Sequence, residues 1–276
     1  MLHRNDFGRP GSFQTFPPVV KSIMIVNGLM FLISLASEKL FGFELSQILG
    51  LHNFASPLFK PVQLVSHLFM HGGFMHIIMN MLSLWMFGSV IENYWGGKRF
   101  FVYYFITGFG AAFIHLLFSN YDYHQMTTAV DAFAQNPDLE QYMAFVKKYV
   151  PDYLKAANAP FGQIMEEWQY NNPPGIAESA KQYMHELLIL KRDTPTVGAS
   201  GAVFGVLLAF GIMFPEQTVF LMFFPMPAKY LVIVYGGFEL YSGIQNDPTS
   251  NVAHFAHLGG MLFGYILIKY WQRKGK

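Results

Sequence analysis

Six runs of apolar residues divide this 276-residue chain, and each is long enough to cross the roughly 30 Å hydrocarbon core of a membrane. They cover residues 20–41, 73–93, 100–118, 197–214, 228–245 and 253–271. Charged residues lie mostly at the ends of the runs, and Glu239 inside the fifth run is the exception. The composition agrees, because 53% hydrophobic residues against 13% charged residues is a more apolar balance than soluble domains carry. We therefore predict an all-α, polytopic membrane protein with six transmembrane helices.

The distribution of basic residues predicts the orientation of these helices, because short cytoplasmic loops carry an excess of Lys and Arg. An even number of spans places both termini on one side of the membrane. Ten basic residues lie in the terminal tails and in the second and fourth loops: Arg4, Arg9, Lys21, Lys98, Arg99, Lys229, Lys269, Arg273, Lys274 and Lys276. The first and fifth loops together hold two, Lys39 and Lys60. Both termini are therefore predicted to be cytoplasmic.

The N-terminal segment, residues 1–18, bears on the location of the protein. It contains Arg4 and Arg9 but no signal-peptide cleavage pattern and no clear organelle-targeting presequence. The first apolar run is therefore expected to stay in place as an anchor. We expect a bacterial inner membrane, and the two arginines leave an organellar membrane as the alternative.

The chain changes character between the third and fourth runs, where residues 119–196 hold ten acidic and six basic side chains. Apolar residues recur there at helical spacing, and prolines interrupt them, so two or three amphipathic helices are expected. This gives three predicted parts: residues 1–118 with helices 1–3, an outward-facing helical insertion over 119–196, and residues 197–276 with helices 4–6 and a basic tail. The insertion is expected to be either a structural cap or a surface on which a partner docks.

Charge and cysteine content exclude several classes of function. A net charge of +1 provides no basic field that would attract nucleic acid. The absence of cysteine excludes disulfides, thiolate metal sites and a cysteine nucleophile. His67 and His71 are spaced like a metal pair, but residue 68 is leucine where a metalloprotease would need glutamate. We therefore expect neither a metal nor an organic cofactor.

Four polar residues inside the apolar runs are predicted to lie at a similar depth near the outer surface. Ser200 opens the fourth run, His257 lies near the outer end of the sixth, and His76 and Asn80 share one face of the second. Ser200 alone is open to a simpler interpretation as a helix cap. Burying four such groups in hydrocarbon would cost several kcal/mol unless they found partners, so together they indicate a functional site.

Glycines in the fourth and sixth runs indicate how closely the helices approach each other. Gly201 and Gly205 form one stripe of small residues four apart, and Gly260 and Gly264 form another. Such stripes let helix backbones pack closely. We therefore expect the fourth and sixth helices to be near enough for the short Ser200 side chain to reach the His257 imidazole.

The motifs around these residues resemble those of rhomboid intramembrane serine proteases. Gly198-Ala-Ser200-Gly is similar to the nucleophile motif of that family, Ala256-His257-Leu-Gly-Gly260-Met-Leu-Phe-Gly264 to its histidine motif, and His76-Ile-Ile-Met-Asn80 to its His-x-x-x-Asn pair. The resemblance implies a six-helix rhomboid-like bundle whose water-accessible cavity opens outward. It also implies cleavage of single-pass membrane proteins in or near their transmembrane segments.

The chemistry expected of these residues follows from their side chains. Ser200 is too weakly acidic to attack an amide unaided, and His257 is the candidate base that removes its proton. His76 and Asn80, with backbone near Gly198 and Ser200, are the expected groups that bind the oxyanion and the substrate. Because no carboxylate is expected at the same depth, we assign a Ser-His dyad without a third member. His254, one turn before His257, is a less favoured alternative base.

Several positions depart from the family pattern. The Trp-Arg pair common in the first loop is replaced by Val62 and Gln63, so this loop must be anchored differently. A Glu-x-Arg sequence after the second helix reads Glu92-Asn-Tyr94, and Phe204 stands where some members have a tyrosine. The third loop is also much longer than the minimal form. None of these changes removes a group that the chemistry requires.

Two other classes of function remain as alternatives. One is a catalytically silent, rhomboid-like membrane binding protein, which the presence of both Ser200 and His257 disfavours. The other is a histidine-based proton relay or transporter, which is disfavoured because no carboxylate is expected beside the histidines. For a protease, the expected partners are the lipid bilayer and membrane-protein substrates whose transmembrane segments are destabilised as helices. A further protein that docks on residues 119–196 is the remaining candidate partner.

Overall fold

The computed structural model describes residues 13–221, 224–245 and 253–274, and most of them are helical. The helices are α1 (Pro18–Phe41), α2 (Leu45–Leu49), α3 (Gln63–Ser66), α4 (Phe74–Ser83), α5 (Ser89–Trp95), α6 (Gly97–Gln135), α7 (Leu139–Tyr149), α8 (Asp152–Lys155), α9 (Pro160–Tyr170), α10 (Ile176–Asp193), α11 (Ser200–Met213), α12 (Ala228–Gln245) and α13 (His254–Lys274). A π-helical turn over Leu84–Gly88 joins α4 to α5, which together form one rod.

Three helical rods in the described residues are long and apolar enough to cross a membrane: α1, the joined α4 and α5, and α6. They coincide with the first three predicted runs, and α11 is a shorter apolar helix of 14 residues. Many large apolar side chains on these helices are exposed, which suits a surface in contact with lipid. The protein is therefore an integral membrane protein.

Helix α6 is much longer than the predicted third span, which ended at residue 118. It has 39 residues and, at about 1.5 Å per residue, is about 58 Å long. The sequence from residue 111 to 135 contains neither glycine nor proline, so nothing stops the helix where the polar residues begin. The helix ends at Gln135, just before Asn136 and Pro137, because the residue before a proline is disfavoured in the helical conformation.

The far end of α6 belongs to a second hydrophobic core, separate from the one among the membrane helices. Its buried residues come from α6, α7, α9 and α10: Met126, Val130, Phe133, Tyr142, Phe145, Val146, Tyr149, Val150, Phe161, Ile164, Ile176, Ala180, Met184, Leu187 and Leu188. The Asp138 side chain accepts a hydrogen bond from the Gln141 backbone N–H at 2.8 Å and caps α7. The residues outside the membrane runs thus fold around the extension of a membrane helix.

A short β-hairpin, which an all-α prediction did not include, lies between α11 and α12. Strands β1 (Thr218–Leu221) and β2 (Phe224–Pro227) pair antiparallel, with Thr218 opposite Pro227. The segment that follows α11 is rich in β-branched and aromatic residues, which favour a strand. It is too short to affect the helical class of the fold.

The first loop is anchored by Gln63, which is fully buried. Its side-chain nitrogen donates to the carbonyl oxygens of Ile48 and Leu58 at 3.1 and 3.0 Å. Its side-chain oxygen accepts from the backbone N–H of Lys60 at 3.0 Å and that of His52 at 3.4 Å. One amide side chain therefore holds four points of the loop, which explains how it is fixed without a Trp-Arg pair.

Replacing Gln63 with alanine is expected to lower the free energy of unfolding by several kcal/mol, because each buried backbone group left without a partner costs about 1–3 kcal/mol. Thermal unfolding in detergent, followed by tryptophan fluorescence, would measure the loss. The neighbouring Val62→Ala variant is the control, because Val62 is 57% exposed. Equal melting temperatures for the two variants would show that Gln63 does not anchor the loop.

Three helices, α6, α11 and α13, pack closely on one another through their glycines. A Cβ atom on Gly260 would overlap the carbonyl oxygen of Gly201, and one on Gly201 would overlap the Cβ of Ala111. A Cβ on Gly205 would lie 2.7 Å from the side chain of Thr107. A Cβ on Gly264 would likewise overlap the Tyr103 hydroxyl, which donates to the carbonyl oxygen of Gly205 at 2.8 Å. The contact between Gly201 and Gly260 brings the start of α11 against the first turns of α13.

Candidate active site

Ser200 is the first residue of α11, and the chain just before it is tightly constrained. Gly198 has a φ of 130°, a conformation that favours glycine, and its N–H donates to the carbonyl oxygen of His67 at 3.0 Å. The N-cap residue of α11 is Ala199, and no side chain caps the helix. The simpler interpretation of Ser200 as a helix cap is therefore wrong.

The Ser200 hydroxyl instead contacts His257 on α13. Its Oγ lies 2.8 Å from Nε2 of His257, a normal hydrogen-bond distance. His257 is buried, and the ring of Phe204 stacks on its imidazole with 4.2 Å between centroids and 6° between planes. Phe204 follows Ser200 by one helical turn, so α11 supplies both the hydroxyl and the ring that orients the imidazole. The Tyr-to-Phe departure thus keeps the stacking contact.

His76, near the start of α4, lies on the other side of Gly198. A Cβ atom on Gly198 would be 2.9 Å from Nε2 of His76 and 3.6 Å from Oγ of Ser200, so this glycine leaves the space between the two side chains open. The N–H of Gly72 donates to Nδ1 of His76 at 3.4 Å. Because a neutral imidazole carries one proton, a bond accepted at Nδ1 leaves the N–H on Nε2, which faces the site.

Asn80 is buried one turn after His76 on α4. Its side-chain nitrogen donates to the carbonyl oxygen of His76 at 3.1 Å. Within the described part of the chain, no hydrogen bond joins Asn80 to Ser200 or His257. Its expected role in binding the oxyanion therefore stays a prediction.

A carboxylate lies beside His257, contrary to the expectation from the sequence. Oε1 of Glu239, on α12, is 3.0 Å from Nδ1 of His257, a close ion-pair contact that does not form a regular hydrogen bond. Oε2 of the same carboxylate is 2.6 Å from Nδ1 of His254. The expectation that no acidic group shares the depth of the histidines is therefore wrong. His254 contacts this carboxylate, and Ser200 is paired with His257.

Two further histidines hold the backbone around the site. Nδ1 of His67 lies 2.8 Å from the carbonyl oxygen of Gln63, within the first loop. Nε2 of His115, on α6, lies 2.7 Å from the Thr196 hydroxyl. Thr196 also pairs with Leu51 through two backbone hydrogen bonds of 2.8 Å. The loop that precedes Ser200 is thus tied to the first loop and to α6.

Comparison with known proteins identifies the family. A family model described as Rhomboid domain matches residues 59–132 and 175–274. The chain belongs to the rhomboid family. A curated relative of this rhomboid protein is Rhomboid protein 1, mitochondrial, of Saccharomyces cerevisiae, which is 23% identical over 205 residues. That alignment covers 74% of this chain and 40% of the relative, so the chain spans less than half of the relative's length.

The family match skips residues 133–174, which carry α7, α8 and α9. It resumes at 175, just before α10, and includes α6 up to residue 132. Most of the long α6 and all of α10 therefore belong to the family domain, and α7, α8 and α9 lie outside the match. The name of the yeast relative places that protein in mitochondria, and the bacterial location expected here stays a prediction.

Proposed function

We propose that this rhomboid protein is an intramembrane serine endopeptidase that uses Ser200 as nucleophile and His257 as general base. The observation that carries the proposal is the 2.8 Å contact between Oγ of Ser200 and Nε2 of His257. A hydroxyl and an imidazole at this distance form the nucleophile and base pair of serine hydrolases. A silent binding protein would have no need to keep both side chains in this geometry.

In the first step, His257 takes the proton from Ser200 as its Oγ attacks the carbonyl carbon of the scissile peptide bond. The resulting oxyanion accepts hydrogen bonds from Nε2–H of His76, from the Asn80 amide and from the backbone N–H of Ser200. His257 then gives its proton to the departing amine, which leaves an acyl-enzyme on Ser200. Water hydrolyses this ester by the same two proton transfers and restores the free hydroxyl.

The protein crosses the membrane six times, with both termini on the cytoplasmic side. Helices α11, α12 and α13 supply the three spans beyond the long apolar rods. The positions of the site residues support this topology, since Ser200 is the first residue of α11, His257 the fourth of α13 and His76 the third of α4. Helices 2, 4 and 6 of a six-span protein all begin on the outer side, so the three residues share one depth.

The substrates are membrane proteins whose transmembrane segments unwind easily. The carbonyl of a peptide bond inside a helix is engaged in the helix's own hydrogen bonds, so a substrate must open locally before Ser200 reaches it. Glycine, proline or small polar residues near the cut lower the cost of this opening. A small side chain is expected just before the scissile bond.

The region 119–196 acts as a structural cap in this proposal. Asp193, at the end of α10, accepts a hydrogen bond from the Ser56 hydroxyl at 2.7 Å, and the Asn53 side chain donates to the Ser119 hydroxyl at 2.9 Å. The Arg192 guanidinium hydrogen-bonds the Asp193 carboxyl and lowers its pKa, so this carboxylate stays ionised at neutral pH. Both bonds tie the region to the first loop, which supports a cap more directly than a partner-docking surface.

Labelling with a fluorophosphonate probe in detergent tests the nucleophile and the base together. Wild type is expected to be labelled, and Ser200→Ala and His257→Ala are expected to lose labelling, because one lacks the hydroxyl and the other the group that activates it. Labelling of Ser200→Ala at the wild-type level would overturn the proposal. Inhibition of substrate cleavage by a chelator, together with resistance to the probe, would point instead to metal chemistry.

A proton relay is the second candidate, and the Glu239 carboxylate beside two histidines is the observation that favours it. Intramembrane carboxylate and histidine groups are typical of proton pathways. Proton flux into liposomes separates the two functions. In a relay, the Ser200→Ala variant would conduct protons as wild type does, and the Glu239→Gln variant would conduct fewer. A protease is expected to show no proton flux in either variant.

A further inference from the structure

Glu239 is a buried acidic residue in the middle of α12 whose two carboxylate oxygens face two different histidines of α13. Only 5% of its surface is exposed. Oε1 lies 3.0 Å from Nδ1 of His257, and Oε2 lies 2.6 Å from Nδ1 of His254. An unpaired carboxylate at such a position would be costly, because burial removes the water that stabilises its charge. The two ring nitrogens provide the partners that this charge requires.

The contact with Nδ1 has a direct consequence for the other nitrogen of the His257 ring. A neutral imidazole carries its proton on one nitrogen, and a carboxylate beside Nδ1 favours the proton there. Nε2 is then left with a lone pair, and it is Nε2 that lies 2.8 Å from the Ser200 hydroxyl. The carboxylate thus selects the tautomer in which His257 accepts a proton from Ser200.

The second histidine fixes the carboxylate itself. Because Oε2 of Glu239 is bonded to His254, Oε1 is held toward His257 and the side chain cannot turn away without breaking the 2.6 Å contact. His254 and His257 are three residues apart on α13 and therefore lie on the same face of the helix. Phe204 stacks on the His257 ring at the same time. The imidazole is thus held at its face by α11 and at its Nδ1 edge by α12.

We propose that Glu239 is a positioning residue, which holds His257 in the tautomer that can deprotonate Ser200 and stabilises the imidazolium formed during the reaction. His254 orients the Glu239 carboxylate. This inference rests on the proposed function, since it concerns the base of the same reaction. It extends the dyad of Ser200 and His257 to a chain of four side chains from three helices.

Nitrogen-15 NMR of the wild-type protein, labelled on its histidine rings, tests the tautomer directly. The His257 signals are assigned from the spectrum of His257→Ala. At a pH where the ring is neutral, Nδ1 is expected to be protonated and Nε2 unprotonated. A wild-type spectrum with the proton on Nε2 would overturn the proposal, whatever the behaviour of any Glu239 variant.

Glu239→Gln provides the kinetic test. The amide has the shape of the carboxylate, but it offers one acceptor and one donor to two Nδ1–H groups, so one histidine must change its tautomer. We expect kcat to fall by about 10² to 10⁴-fold, as when the acid of a serine-protease triad is replaced by its amide, with KM nearly unchanged. The proton on His257 is expected to move to Nε2 in the NMR spectrum. Glu239→Asp, which keeps the charge, is expected to recover part of kcat.

Glu92→Gln is the matched control, because Glu92 is also buried but, among the residues that the structure describes, accepts hydrogen bonds only from the backbone N–H groups of Val19 and Val20. Its kcat per folded molecule is expected to match wild type. Wild-type kcat and tautomer in Glu239→Gln, with Ser200→Ala inactive, would refute the role of Glu239 and leave the proposed function standing. Full labelling of Ser200→Ala by the fluorophosphonate would instead refute the proposed function.

Discussion

Alanine at Ser200 or at His257 is expected to reduce cleavage of a single-pass membrane substrate by about 10⁴-fold or more. The first change removes the atom that attacks the peptide bond, and the second removes the group that takes its proton at 2.8 Å. Because the two act as one unit, the double variant is expected to lose no more activity than either single variant. The measurement is the initial cleavage rate after reconstitution of enzyme and substrate in liposomes.

Two control variants match these changes in kind. Ser89→Ala removes a hydroxyl that donates to the carbonyl oxygen of Thr15, far from Ser200 in the sequence, and His124→Ala removes an exposed imidazole of α6. Both are expected to cleave at the wild-type rate. If Ser200→Ala cleaved as fast as its control, the serine mechanism would be excluded. Additive losses in the double variant would mean that Ser200 and His257 do not act together.

The Gly260→Val substitution is expected to destabilise the fold by about 3 kcal/mol or more. The added side chain would meet backbone atoms, so the helices themselves would have to move apart to make room for it. A Cβ atom there would overlap the carbonyl oxygen of Gly201, so even the first added carbon has no space. The loss would be measured as a lower melting temperature and a smaller folded yield in detergent.

Gly28→Val is the matched control, because Gly28 also lies in a membrane helix and a Cβ atom added to it would meet no other atom within 4 Å. It is expected to keep the wild-type melting temperature. Similar melting temperatures for the Gly260 and Gly28 variants would contradict the close approach of α11 and α13. Loss of stability should also be accompanied by loss of labelling at Ser200, since this contact holds α11 against the helix that carries His257.

The contact between Ser200 and His257 could be predicted from the sequence because short motifs mark both residues and each lies near one end of an apolar run. The role of Glu239 could not be predicted, because the sequence places only its backbone along the helix and not the carboxylate at the end of its side chain. It lies six residues before the end of α12, or about 9 Å, whereas His257 lies about 4.5 Å from the start of α13. The two distances differ by about 4.5 Å, which is close to the length of a glutamate side chain. The side chain of Glu239 therefore spans the distance that separates its backbone from the level of His257.

The length of α6 and the hairpin after α11 could not be predicted from the sequence for a different reason. Sequence hydropathy marks where the apolar residues end, but a helix ends only where its backbone is interrupted, and Pro137 is the first such signal after residue 118. The hairpin is a local pairing of two four-residue strands, which gives a weak pattern beside helices of this length. The anchoring role of Gln63 is predictable only in part, since the sequence shows that the Trp-Arg pair is missing but not which residue replaces it.

The uninterrupted course of α6 has a mechanical consequence. One end of the helix packs with α7, α9 and α10 through Met126, Val130 and Phe133, and its middle contacts the start of α11 through Ala111 and Gly201. A rod without a joint transmits tilt from one end to the other, and a membrane helix tilts when the bilayer is thinner than its apolar length. A change in bilayer thickness is therefore expected to tilt α6 as one rod and to move the helices packed on its far end together with the wall beside Ser200.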